Sequence, residues 1–482
     1  MELELCLHPD DAVRLLRLPR LAPLKSGKVS SRPVRTIWHD GAGRELAQQG
    51  LALAKHRSQW ELERLRPHCN RWPPGARAPV LACAKTPEQL GRPLPSPLLP
   101  IVALEGHASQ IGLMTEQGAI TMTLLIGEVR GVVGQHRVNR LILQGGIEPV
   151  RALALALATD TRLVVPSTSL ASEAFAVATG VPSAPGPEGP PKLPEGLSIA
   201  EALAYVLGHL GGAIIQLAPK AADSAAGQEP VHQMRVAVRR LRSAIKVFCH
   251  AVTSPTIIET DKALKALAAI LAPARDWDVF VTETAAAVLE AIPTGKRLRR
   301  LLAAAERQRR ACREDLCNFL GGTEFRQLGI HLACFAGELQ DPAATDASEG
   351  PKLLTEFGTQ VLGKRYRRLV RVDHQLSALE PAALHQIRLH AKRLRYTAEI
   401  FATMFPGKPT HRFLHRLSSL QNCLGALNDG AVAERLMHEV SKGSHGFAIG
   451  LVLGFVAAHN RKARRQIDRA WERFSRLEPF WA

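Results

Sequence analysis

Residues 231–248, VHQMRVAVRRLRSAIKVF, return as residues 384–401, LHQIRLHAKRLRYTAEIF, at a constant offset of 153 residues and without a gap. His232 corresponds to His385, Arg235 to Arg388, Arg239 to Lys392, Arg240 to Arg393, Arg242 to Arg395 and Phe248 to Phe401. A chain that carries such a stretch twice contains one structural unit twice, and any fold proposed for it must place both. At about 100° per residue, His232, Arg235, Arg239, Arg242 and Lys246 fall within an arc of about 80°. Met234, Val238, Leu241, Ile245 and Phe248 gather on the opposite side. The pattern predicts a helix with one face in a core and the other a rail of positive charge. The copies differ at one informative place: Lys246 is replaced by Glu399, so the far end of the second rail is less positive.

The sequence around each copy keeps the helical period. Residues 197–217, 232–250, 257–271, 274–291 and 296–319 read as helices, and after a polar break at 341–351 so do 353–376, 384–404, 410–424, 429–441 and 447–476. An acidic turn is expected after each motif, at Arg275, Asp276 and Asp278 and again at Asn428 and Asp429. Asp276 and Asp429 are expected to cap helices or pair with motif arginines rather than to act as acids. Two pseudo-symmetric antiparallel helical bundles, residues 197–340 and 352–482, satisfy this order.

Residues 1–180 have a different character. Strands are predicted at 2–7, 33–39, 52–66, 101–104, 119–126 and 137–143, with helices at 9–17, 150–159 and 169–179. This is an α+β unit with a mainly antiparallel sheet. Residues 181–196, VPSAPGPEGPPKLPEG, form a Pro/Gly linker between the two regions.

The chain of 482 residues is too long for one core. Its formal charge of +18 implies a polyanionic partner, and the surplus is concentrated in the helical part. Eight scattered cysteines without a CxxC pair are expected to be reduced thiols in a cytoplasmic protein. The acidic start reads as a strand rather than a leader, and the longest apolar run, 447–458, falls short of the roughly 20 residues that cross a bilayer. Neither a cofactor nor a metal site is expected: within the motif no second His or carboxylate falls one turn from His232 or His385 to complete a ligand set.

The pattern His-x-x-Arg-x-x-x-Arg-Arg-Leu-Arg, present on two helices with Lys392 for the Arg239 position in the second copy, resembles the signature of the CHAD domain, the conserved-histidine α-helical domain. The N-terminal order of an ELEL strand, a helix, TIWHD (36–40) and LAQQGLALAKHR (46–57) is similar to the opening of CYTH domains of the triphosphate tunnel metalloenzymes, which are closed antiparallel β-barrels. The CYTH resemblance implies Glu-x-Glu-x-Lys, whereas this chain has Glu2, Glu4 and Cys6. Downstream, Arg140, Ile142 and Gln144 stand where acidic ligands belong, Leu125 stands for an Asp, and Ser169, Leu170 and Glu173 replace a basic segment. The expectation is therefore a degraded catalytic motif and no enzyme.

The CHAD resemblance implies binding of inorganic polyphosphate and, for its phosin members, residence at polyphosphate granules. A linear polymer of identical phosphates needs only repeated cations, and arginine forks suit phosphate oxygens. The expected binding residues are His232, Arg235, Arg239, Arg240, Arg242, Lys246, His385, Arg388, Lys392, Arg393 and Arg395, facing each other across one channel. Lys364, Arg368 and Arg371, at helical spacing, extend it. The basic stripes at Lys296, Arg300, Arg307 and Arg310, and at Arg461, Lys462, Arg464 and Arg465, read as solvated faces. Two other functions remain in play: a metal-dependent triphosphatase fed by the helical domain, and nonspecific nucleic-acid binding, which the lack of aromatic interleaving disfavours.

Overall fold

In the computed structural model, residues 1–65, 74–76, 80–181, 189–252, 254–292, 296–340, 354–371, 375–441 and 446–481 are described. A β-rich N-terminal region is followed by an all-helical one. Strands β1 (Glu2–Leu7), β2 (Lys25–Asp40), β3 (Leu51–His56), β4 (Gln59–Arg64), β5 (Val80–Ala84), β6 (Leu99–Thr115), β7 (Gly118–Gly131), β8 (Gln135–Gly145) and β9 (Leu163–Val164) make one sheet. Its order is β5-β4-β3-β2-β6-β7-β8-β1-β9, with every pair antiparallel. Among the described residues no ladder joins the β5 and β9 edges. The helices of this region are α1 (Pro9–Arg14), α2 (Glu45–Gln48), α3 (Ile147–Asp160) and α4 (Leu170–Thr179).

Strand existence follows the sequence closely, and strand length does not. The strands expected at 33–39 and 101–104 extend to 16 and 17 residues because β2 and β6 are paired over most of their length. The single strand expected at 52–66 is a hairpin, β3 and β4, reversed at Arg57 and Ser58 with Arg57 at φ +53°. No Gly or Pro marks that turn, so the alternation of apolar residues runs through it undisturbed. In the TIWHD segment, the fully buried Asp40 accepts hydrogen bonds from the backbone N–H groups of Gly41, Leu46 and Ala47 at 2.8–2.9 Å. Its carboxylate meets the otherwise unpaired donors at the start of α2.

The helical region comprises α5 (Ile199–Ala222), α6 (Glu229–Phe248), α7 (Thr256–Val279), α8 (Ala286–Ala291), α9 (Lys296–Gly321), α10 (Thr323–Gln340), α11 (Leu354–Val370), α12 (Pro381–Phe401), α13 (Lys408–Ser441) and α14 (Gly446–Ser475). A capping box at Ser198 and Glu201 opens it: each side chain bonds the other's backbone N–H. Neighbours repeat in the two halves: α5 packs on α6, α6 on α7 and α7 on α9, as α11 packs on α12, α12 on α13 and α13 on α14. The halves share one apolar core, and across it α6 packs on α12. Phe248 and Phe401, equivalent in the two copies, meet each other at 6.0 Å between ring centroids, so the pseudo-symmetry axis passes between the motif helices.

Two sequence expectations are corrected here. The acidic segment after each motif is not a turn: Arg275, Asp276 and Asp278 lie inside α7, which runs through Pro273 and continues by a wide π turn at Phe280–Ala285 into α8. Asn428 and Asp429 likewise lie within the single 34-residue helix α13 rather than between two helices. Leu271, Ala274 and Trp277 are buried around the proline, so packing holds the helix together where local propensity breaks it. The α10 helix was not expected and has no counterpart among the described residues of the second half. It packs on α5, α7 and the N-terminal α3.

The N-terminal region is joined to the helices through apolar contact. Ile215 of α5 and Ile330, Ala333 and Cys334 of α10 belong to the core around β1, β7, β8 and α3. Arg151 bridges Glu148 and Glu259 at 2.7 and 2.8 Å. Residues 182–188 of the expected linker lie outside the described residues, as does the 341–351 break. Leu193 of the linker is buried in the helical core, and its carbonyl accepts from Thr403 at 3.1 Å.

Candidate anion-binding surface

Each motif helix is amphipathic as its spacing requires. On α6, Val231, Met234, Val238, Leu241, Ile245 and Phe248 are buried, and on α12, Leu384, Ile387, Ala391, Leu394, Ala398 and Phe401. The cationic faces, however, are not free rails. Arg235 donates to Asp276 Oδ1 at 3.0 Å and to the Ala272 carbonyl at 2.9 Å. Asp276 is also held by Arg435 of α13 at 2.9 Å. Arg242 pairs with Asp261 at 2.8 Å. Arg240 crosses to Glu399 on the other motif helix at 3.0 Å, and Arg395 reaches the same carboxylate at 2.7 Å. The Arg239 guanidinium lies over the Tyr396 ring, 5.6 Å from its centroid, and burial pulls it below the usual arginine range.

These contacts form a first cluster, with His232, Arg235, Arg239, Arg275 and Arg435 around Asp276 and Tyr396. His232 is half-buried, and its pKa is lowered by burial and then by Arg275, with Arg235 and Arg239 adding to it. The nearby Asp278 is fully buried between Arg309 at 3.4 Å and Arg313 at 3.8 Å. Burial raises its pKa against the pull of those arginines.

A second cluster lies where α11 meets α12. Arg365 donates to the Arg393 carbonyl at 2.7 Å, to Thr397 Oγ1 at 2.6 Å and to Ser243 Oγ of α6 at 3.4 Å. Burial, then the charges of Arg393 and Arg368, pull its pKa down to about 10. His390 is lowered by burial and by the same two arginines. Arg368 and Arg393 are exposed, as are Lys364, Arg371, Lys246 and His385. Among the described residues, the Lys246, Arg368 and Arg393 side chains make no hydrogen bond or ion pair. Arg388 and Lys392 are half-buried and engaged.

The sequence-predicted residues thus divide. Arg235, Arg239, Arg240, Arg242 and Arg395 are committed to protein partners, whereas Lys246, Lys364, Arg368, Arg371, His385 and Arg393 face solvent. Sequence reasoning missed Arg365, which lies beside the stripe of Lys364, Arg368 and Arg371 rather than in it. It also missed Tyr396, Asp261 and Arg435 as partners. A basic run of GKRYRRLV could have drawn attention to Arg365. Nothing in the spacing identifies Asp261 or Arg435, whose approach is tertiary.

In the N-terminal sheet the register pairs Cys6 with Arg140 and Glu4 with Ile142. Arg140 is 1% exposed. Its guanidinium lies 3.2 Å from Glu4 and 2.6 Å from Glu173, and it contacts the Cys6 sulfur. Glu2 accepts from Gln144 at 2.6 Å. Lys55 sits over the Trp60 ring at 5.1 Å. Among the described residues no group of three or more His, Cys, Asp or Glu side chains is arranged to hold a metal ion.

Residues 209–438 match the family model of the CHAD domain. Among solved structures, the crystal structure of the CHAD domain from the plant Ricinus communis aligns at 25% identity with a TM-score of 0.50, covering 61% of this chain and 98% of that one. PptA from Streptomyces chartreusis aligns at 17% identity and TM-score 0.42, over 57% of this chain and 100% of that one. HpAC1 from Hippeastrum, described as having a dominant triphosphatase activity, aligns at 13% identity and TM-score 0.25, over 38% of this chain and 97% of that one. The last two are too distant to bear on function. No curated protein matches the chain. Among the described residues one helix, α5, is long and apolar enough to cross a membrane by composition, and 56% of its apolar window is buried inside the protein.

Proposed function

We propose that this chain, whose residues 209–438 are a CHAD domain, binds inorganic polyphosphate without hydrolysing it. The observation that carries the reading is the solvent-facing set of Lys246, Lys364, Arg368, His385 and Arg393 on and beside the duplicated helices, of which Arg368 and Arg393 lie near Arg365. The ion pairs of Arg235, Arg240, Arg242 and Arg395 hold the helices that present this set. A flexible polyanion without base edges requires such a surface and no shaped pocket. Residence at cytoplasmic polyphosphate granules follows as part of the same proposal.

The non-catalytic half of the reading rests on Arg140. A divalent ion would need the oxygens of Glu4 and Glu173, and the Arg140 guanidinium, already a cation, lies against both. Among the described residues the basic helices offer no row of exposed aromatic rings on which bases could stack, and Tyr396 lies under Arg239.

Calorimetric titration of the full chain with long-chain polyphosphate tests the proposal. Binding is expected, with affinity falling at least about tenfold between about 50 and about 200 mM salt. Replacing Lys246, Lys364, Arg368 and Arg393 by Gln should remove most of it while the circular dichroism spectrum is unchanged, since exposed charges contribute little to stability. Absence of heat with the unaltered chain overturns the reading. Phosphate release from tripolyphosphate with Mg²⁺ or Mn²⁺ overturns its non-catalytic half.

A further inference from the structure

The pseudo-symmetric halves do not present equivalent surfaces, and the difference is concentrated at two places. The first is the exchange of Lys246 for Glu399. On one side of the axis Arg240 is neutralised by Glu399. On the other, the equivalents are Arg393 and Lys246: two cations stand where the first side has an ion pair, both exposed and without a carboxylate partner among the described residues.

The second place is the helix beside the motif. On α5, Ile215 is buried in the N-terminal core, Gln216 donates to the Ser167 carbonyl at 3.1 Å, and α10 covers a further face. Its counterpart α11 instead exposes Lys364, Arg367 and Arg368, with Arg371 just beyond its end, and holds Arg365 against α12 and α6.

We infer that Lys246, Arg365, Arg368, His390 and Arg393 form a single anion subsite, on the second half only, that takes a compact oligophosphate group. The inference rests on the polyphosphate reading and sharpens it from a track to an anchor. Arg365, with its hydrogen bonds to Arg393, Thr397 and Ser243, is the fixed floor. Arg368 and Arg393 rise from neighbouring helices as forks able to grip phosphate oxygens from two sides. Burial, and after it the charges of Arg393 and Arg368, lowers the pKa values of Arg365 and His390, so these cations lie close together. A group of two or three linked phosphates matches this charge. It can be the end of a long polymer or a free short oligophosphate, and the chemistry at the subsite is the same.

The test titrates the full chain with tripolyphosphate and, separately, with long-chain polyphosphate whose terminal phosphates are blocked. Tripolyphosphate is expected to bind once per chain. The R368Q/R393Q variant should lose about tenfold or more in that affinity, as expected for two missing charge-assisted hydrogen bonds. The control K28Q/R32Q removes the same charge from exposed positions on β2 and should change it little. Equal losses in the two variants would reduce the effect to net charge and overturn the subsite. So would failure of tripolyphosphate to bind while the long polymer does, an outcome that leaves the polyphosphate reading standing. Failure of both ligands overturns that reading itself. Weaker binding of the end-blocked polymer than of the free one identifies the chain end as the natural occupant, whereas equal binding with tripolyphosphate still held at the subsite assigns it to free short oligophosphates. Should R368Q/R393Q not fold, as judged by circular dichroism, K246Q, which changes one exposed lysine, serves with the same expected direction.

Discussion

At the scale of single residues, the motif cations do two different jobs, and their partners reveal which. Glu399, 9% exposed on its side chain, holds Arg240 and Arg395 together across the axis, with Arg240 14% exposed. Glu399→Gln removes the charge and leaves two half-buried guanidinia facing each other. A loss of about 3 kcal/mol in urea-unfolding free energy is expected; an unchanged midpoint would show that the pair is not stabilising. His232 and His390 supply a pH dependence. Both have folded pKa values below the ordinary 6.5, through burial and neighbouring arginines. The unfolded chain therefore takes up these protons first, and their contribution to stability is lost as pH falls below 6.5 toward the folded values. At His390, in the proposed subsite, a bound polyanion reverses the sign by favouring the charged imidazole, so polyphosphate affinity should rise as pH drops from 8 to 6. The H390Q variant should flatten that rise, read by calorimetry at constant ionic strength.

At the scale of elements, the motif helices are held by the aromatic contacts at the axis more than by their charges. Phe248 lies 5.4 Å from Phe357 and 6.0 Å from Phe401, with both partners buried. Phe248→Ala is expected to cost about 3–5 kcal/mol, with a lower thermal midpoint and weaker polyphosphate binding in proportion to the unfolded fraction. Binding lost without any loss of stability would mean that the ring acts on the ligand directly. Element boundaries were less legible than element identity. The 3.6-residue period located α6 and α12 from their apolar stripes, but it divided α7 at Pro273 and α13 after Leu424, because local breakers say nothing about the packing of Leu271, Ala274 and Trp277 that carries the helix past the proline. In the sheet, β5 went unseen: Val80–Ala84 is short, and among the described residues it pairs with β4 alone.

At the scale of the whole molecule, the N-terminal region and the helical region share buried surface. Ile330, Ala333 and Cys334 of α10 lie in the core of the sheet domain, and Arg151 fastens α3 to α7 through Glu259. A truncated chain beginning at the linker should expose these residues, bind a hydrophobic dye and unfold at a lower temperature than the full chain. Two well-separated calorimetric transitions in the full chain would contradict such coupling. The sequence by itself determined the duplication, the amphipathic faces of the motif helices, the β-rich start and the positive surplus, since each of these is a local pattern of residue type and period. Only the tertiary structure decided which cations are spent on Asp261, Asp276 and Glu399 and which stand free. An ion pair depends on the approach of residues far apart in sequence, 159 positions in the case of Arg240 and Glu399. The same folding covers α5 with the N-terminal region and leaves α11 open, so a sequence that repeats itself yields a surface that does not.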